Sequence, residues 1–120
     1  MKSTTLIIGA SENPDRVSNT AIHKLQAHGY DVKAVGLKPG KVGNIVIQTG
    51  MPEFKEIDTV SLYINPVVQE QYYGYIISLK PARVIFNPGT ENPAFKKMLN
   101  KAAIKTEEAC TLVMLSLGSY

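Results

Sequence analysis

Thr5-Leu6-Ile7-Ile8-Gly9-Ala10-Ser11-Glu12-Asn13-Pro14-Asp15-Arg16 is the stretch on which the fold turns. An apolar run ends in two small residues and leads into VSNTAIHKLQAHG, where Val17, Ala21, Ile22 and Leu25 recur at helical spacing and Gly29 is placed to end the helix. Strand, small-residue turn, helix is the opening of a nucleotide-binding βαβ unit. Only one of the three glycines of G-x-G-x-x-G is present, so an ordinary dinucleotide site does not follow.

Working outward, apolar runs at 32–37, 58–64 and 83–87 and a weaker one at 104–107 join the first, at 4–9, as five expected strands. The first four are nearly continuous apolar runs, as in parallel strands covered on both faces. Asn65-Pro66 and Asn92-Pro93 read as N-cap and N1 of two further helices. Their expected buried stripes are Val68, Tyr72, Ile76 and Leu79, then Phe95, Met98, Leu99, Ala102 and Ala103. A last short helix from Thr111 to Leu117 would be capped by Thr111. Pro39 to Phe54, with glycines at 40, 43 and 50, predicts a loop and small hairpin where a second helix would otherwise stand. The expectation is a single domain over residues 1–120: an α/β, Rossmann-like, doubly wound parallel five-stranded sheet with helices on both faces, in the order 3-2-1-4-5 and a switch point between strands one and four.

Bulk composition removes several function classes. A length of 120 residues leaves no room for a nucleotide domain plus a separate substrate domain. The net charge of +3 comes from dispersed Lys and Arg, which excludes a nucleic-acid surface, and no apolar stretch is long enough for a membrane. With one cysteine and two histidines there is neither an internal disulfide nor a zinc set, and no signal peptide is recognisable, so the chain reads as cytoplasmic.

Ligands of such sheets bind at the carboxyl ends of the strands, which directs attention to GASENPDR, KPGK, NPVV and NPGTEN. In the first loop Gly9 and Ala10 permit close backbone approach, Ser11 offers a hydroxyl, Asn13 and Pro14 lead into the helix start, and Arg16 offers a fork of donors; a diphosphate needs such a set. Lys38 and Lys41 form a clamp for a further phosphate, although the stretch is not a P-loop. No acidic residue follows the second strand to take ribose hydroxyls, which disfavours NAD, whereas a lysine there suits a ribose phosphate. Ile64, Asn65 and Pro66, and Asn87, Pro88 and Gly89, border the same edge, the asparagines also being explained as caps and Gly89 by positive φ or room for a ligand. No catalytic constellation and no metal set emerges: Glu91, Glu107 and Glu108 stand without a histidine in a site loop. Cys110 is a candidate redox thiol, since a helix start at Thr111 would lower its pKa.

Taken together, GASENPDRVSN, HGYDVKAVGLKPGKVGN, NPGTENPAFKKMLNKAAI and EEACTLVML make the chain resemble the small stand-alone CoA-binding domain proteins of bacteria, themselves similar to the CoA-binding domain of the succinyl-CoA synthetase alpha subunit and of ADP-forming acyl-CoA synthetases. The resemblance implies that Gly9, Ala10 and Ser11 hold the diphosphate of coenzyme A or an acyl-CoA, that Lys41 stands beside the phosphorylated nucleotide end, and that Ile64-Asn65-Pro66 borders nucleotide or pantetheine. NPGTEN would then occupy the place of a loop beside the synthetase reaction centre. The phosphorylated histidine and ATP-grasp partner of the synthetase have no counterpart here, so binding carries over and ligase activity does not. An NADP(H)-binding redox enzyme or sensor, and an interaction subunit with a degenerate nucleotide site, remain as alternatives, with a homodimer or a separately encoded protein as partner.

Overall fold

The computed structural model describes residues 3–120; the first two residues of the expected domain lie outside the described residues. Each expected strand forms, as β1 (Thr4–Ile8), β2 (Asp31–Val35), β5 (Ile57–Leu62), β6 (Arg83–Phe86) and β7 (Lys105–Glu108). The glycine-rich segment folds as the expected hairpin, β3 (Gly40–Val42) and β4 (Ile45–Gln48). Helices α1 (Val17–Ala27), α2 (Pro66–Gln69), α3 (Tyr73–Leu79), α4 (Pro93–Lys101) and α5 (Thr111–Leu117) complete the chain, a 3-10 turn at Glu70–Tyr72 joining α2 to α3.

The sheet has seven strands rather than five, in the order β3-β4-β2-β1-β5-β6-β7, all parallel except β3. The expected order 3-2-1-4-5 is therefore corrected. β4 pairs with the free side of β2, through Ala34↔Ile47 and Val35↔Gln48, and takes the position the third expected strand would have filled. That strand, β5, returns instead to the open side of β1. The switch point consequently lies between β1 and β5, which brings the 63–66 loop, not the loop after β6, directly beside the first loop.

Strand alternation divides the core into two layers. On one face Leu6, Ile8, Val60, Leu62, Val84 and Phe86 meet Ile76 of α3 and Phe95 and Leu99 of α4, all buried. On the other, Ile7, Val32, Ala34 and Ile47 meet Ala21, Ile22 and Leu25 of α1 and Leu115 of α5. Burying one such aliphatic side chain stabilises the fold by about 1.5–3 kcal/mol.

Two caps are as expected: Asn65 Oδ1 accepts the Val68 N–H at 2.9 Å, and Asn92 Oδ1 accepts that of Phe95 at 3.1 Å, each followed by proline at N1. Gly29 follows α1 with φ of 85°. Two stripes and one cap need correction. Val17 is 53% exposed, because the helix begins at its N-terminal edge where the sheet has ended. In α4 only Phe95 and Leu99 are buried; Met98 is 40% exposed, and Ala102 and Ala103 lie past the last helical residue, Lys101. Finally, α5 is preceded by Cys110 as N-cap, and Thr111 is its first helical residue.

Candidate functional site

At the carboxyl ends of the parallel strands the loops after β1, β2, β5 and β6 enclose a cavity of about 880 Å³. Ligand pockets commonly measure about 300–1,000 Å³. One wall is the first loop and the start of α1, from Gly9 to Ser18; the 37–39 turn closes one side, Tyr63 to Asn65 the other, and Asn87 to Thr90 with Cys110 the far end.

The first loop owes its path to Gly9. Its φ is +99°, and a Cβ there would stand 2.8 Å from the Tyr63 carbonyl oxygen and 2.9 Å from its carbon. Only glycine lets β1 turn away at this point while staying against β5. The N–H groups of Gly9 and Ala10 both go to the Val35 carbonyl, at 2.9 and 3.0 Å, so these residues shape the wall and their amides are committed to β2. Asn19 holds the loop from below, its Nδ2 donating to the Ser11 carbonyl at 3.0 Å, and Asn13 Oδ1 accepts the Asp15 N–H at 2.9 Å. The N-cap of α1 is Arg16, with no side-chain cap bond. Asn65 and Asn92 cap α2 and α4, and Asn87 reaches the first N–H of α5 from outside, whereas the start of α1 faces the cavity through Val17 and Ser18. A helix start left uncapped over a cavity presents N–H donors and the positive end of the helix dipole to whatever enters.

The far wall is a buried polar fastening. Asn87, 2% exposed, donates from Nδ2 to Ser61 Oγ at 2.8 Å and to the Leu62 carbonyl at 2.9 Å, and its Oδ1 accepts the Thr111 N–H at 2.9 Å. The Ser61 and Thr111 hydroxyls lie 2.8 Å apart. Tyr63 Oη is buried beside this pair without completing a hydrogen bond to either. Burial pushes its pKa up to about 12, an effect the Thr111 and Ser61 hydroxyls offset in part, so it remains a neutral phenol at physiological pH. Gln69, fully buried, ties the two neighbouring loops: Nε2 donates to the carbonyls of Ile64 at 2.9 Å and Thr90 at 2.7 Å, and Oε1 accepts from Asn92 at 2.9 Å.

Most of the candidate residues meet at this cavity. Gly9, Ala10, Ser11, Asn13 and Arg16 line it in the first loop, joined by Lys38, Ile64 and Asn65 and by Asn87, Pro88, Gly89 and Cys110. Gly89 has φ of 91° with open space around it, which fits both explanations given for it. Pro14, Lys41 and Pro66 are not on the wall: Pro66 is the N1 residue of α2, and Lys41 is exposed on β3 beyond the 37–39 turn. The lining residues that sequence reasoning missed include Glu12, Leu37 and Tyr63, besides Asp15, Val17, Ser18, Pro39 and Thr90. Leu37, 84% exposed at the end of an apolar run, read as part of a strand; Tyr63 did too, and nothing in the sequence marked Glu12. Among the described residues no group of acidic, histidine and cysteine side chains could hold a metal ion, and no helix is long and apolar enough to cross a membrane.

Residues 3–116 match the model of the CoA binding domain family. The chain belongs to that family. The crystal structure of an uncharacterized protein is similar to this CoA-binding domain over 100% of the chain and 99% of its own, with 44% identity and a TM-score of 0.97. A hypothetical protein from Pyrococcus horikoshii OT3 is 24% identical, covering 94% of this chain and 81% of its own with a TM-score of 0.85. Cell-free ID.343 from Thermus thermophilus is 20% identical, covering 98% and 90% with a TM-score of 0.86. These last two show the fold alone. No curated protein matches the chain.

Proposed function

We propose that the protein binds coenzyme A or an acyl-CoA in the switch-point cavity and serves as a non-catalytic carrier, sensor or regulatory module. The observation that carries this reading is the uncapped start of α1, opening with Arg16 onto a cavity in a chain of the CoA-binding family. Its donors suit the diphosphate, with the Ser11 hydroxyl beside them. Gly9 and Ala10 contribute by letting the ligand approach, not by donating, since their amides are occupied by Val35. Lys38 on the wall and Lys41 just beyond it would face the ribose phosphate. Ile64 and Asn65 would border the nucleotide or pantetheine. Asn87, whose amide is fully engaged, would hold the wall in shape beneath Pro88 and Gly89.

Calorimetric titration with CoA tests the reading, with dephospho-CoA and NADP as controls in the same buffer. CoA binding that weakens clearly for dephospho-CoA is the expected result. Tighter binding of NADP than of CoA would replace it with the redox alternative. No heat with any of the three would turn attention to a protein partner.

A further inference from the structure

Glu12 does something that an acidic residue at a polyanion site has no electrostatic reason to do. Its Oε2 accepts the backbone N–H of Lys41 at 2.9 Å, joining the first loop to a hairpin strand 29 positions away in sequence. Lys41 lies in β3, the outermost strand of the sheet, which among the described residues pairs only with β4. An edge-strand amide is usually left to water or to a chance partner; here it is taken by a side chain from the opposite side of the 37–39 turn.

Gly40 shows that the contact is fitted rather than incidental. A Cβ at this residue would stand 2.3 Å from Glu12 Cδ and 2.6 Å from Cγ. Gly40 is not among the residues with positive φ, so conformation does not require glycine there. The room its missing side chain leaves is occupied by the Glu12 stem. Stem on Gly40 and carboxylate on the Lys41 amide together anchor the turn that carries Lys38 into the cavity wall.

We infer that Glu12 is a positioning residue: it ties the turn bearing Lys38, and the start of β3 bearing Lys41, to the first loop and so sets the site's preference for a ligand carrying a ribose phosphate. The inference rests on the CoA reading above. The negative charge of Glu12 opposes the phosphate it helps to place, so the acceptor oxygen, not the charge, is the useful part.

Three variants separate these elements. Glu12→Ala removes the tie, Glu12→Gln keeps an acceptor without charge, and Gly40→Ala displaces the Glu12 side chain while leaving its charge in place. Each is titrated with CoA and dephospho-CoA, and the Lys41 amide is followed by hydrogen exchange. Exchange at Lys41 is expected to quicken in Glu12→Ala and Gly40→Ala and to stay slow in Glu12→Gln. CoA binding should weaken about five- to tenfold in the first two, the scale of one ordinary hydrogen bond, with dephospho-CoA changed less than about twofold. Glu12→Gln should bind CoA at least as well as the wild type. Equal weakening for both ligands, or tighter CoA binding in Glu12→Ala, would overturn the inference while leaving the CoA reading in place. Wild-type protein that binds neither ligand overturns the CoA reading and this inference with it.

Discussion

Replacing Gly9 by alanine tests how tightly the first loop is built. The added Cβ would meet backbone atoms, the Tyr63 oxygen at 2.8 Å and carbon at 2.9 Å, besides Ile64 Cγ2 at 3.1 Å. The backbone there cannot retreat easily, because the Tyr63 N–H is bonded to the Ile8 carbonyl at 2.9 Å and β1 and β5 are paired neighbours inside the sheet. Holding alanine at φ near +99° costs about 1–2 kcal/mol. Relieving the overlap costs about 1–3 kcal/mol more. The sum, about 2–5 kcal/mol, corresponds to a fall in Tm of about 8–20 °C for a domain of this size. Gly89→Ala is the matched control, since its φ of +91° carries a similar backbone cost with nothing within 4 Å of the new carbon. That variant should lose only about 4–8 °C. Thermal unfolding followed by circular dichroism reads both. Equal losses would show that the crossing of the first loop over Tyr63 is not tight, and the account of Gly9 would fall.

Asn87→Ala should cost about 3–5 kcal/mol in chemical denaturation, because the Ser61 hydroxyl, the Leu62 carbonyl and the Thr111 N–H all lose a partner in a buried place; a loss under about 1 kcal/mol would mean that water replaces the amide. Alkaline pH should destabilise the fold. Tyr63 and Tyr75 have folded-state pKa values near 12 against an ordinary 10, and that of Tyr120 is also raised, so stability is fully present below pH 10 and falls between pH 10 and 12. Tyr63 accounts for about 2–3 kcal/mol of the fall, and Tyr63→Phe should flatten the urea midpoint over that interval by its share; an unchanged slope would contradict the burial of its hydroxyl. Cys110 is free, half-buried and on the cavity wall, so saturating CoA should slow its alkylation severalfold, as mass spectrometry would show. An unaltered rate would place the ligand elsewhere.

Local signals carried the elements and most of the cavity, and pairing across the sheet is where they stopped. The run ending at Ile8, the asparagine caps at 65 and 92 and the glycine at 29 each depend on a few adjacent residues, so each can be read from the chain. Strand order depends on which free edge β4 occupies, a choice made by Ile47 packing beneath α1 beside Ala34, far away in sequence. Val17 fits the helical period of α1, yet period says nothing about where the sheet stops, and it faces the cavity mouth. Asn87 was readable as a helix cap, but the helix it caps is α5, reached across the fold rather than along the chain. Glu12 gave no signal because its partner is a backbone amide, which every residue but proline possesses.

The central place of β1 also governs when the protein can act. β1 comes first in the chain but sits between β2 and β5, and the cavity takes walls from as early as Gly9 and as late as Cys110. A nascent chain leaving the ribosome therefore has no complete pocket until Cys110 has emerged, and earlier fragments hold a central strand with a bare flank. A ligand seated in that cavity would recognise only the folded molecule. At a concentration of about 100 Kd it would then hold that molecule together by about 2.7 kcal/mol, so the level of free ligand in a cell would help to set how much of the protein survives after synthesis.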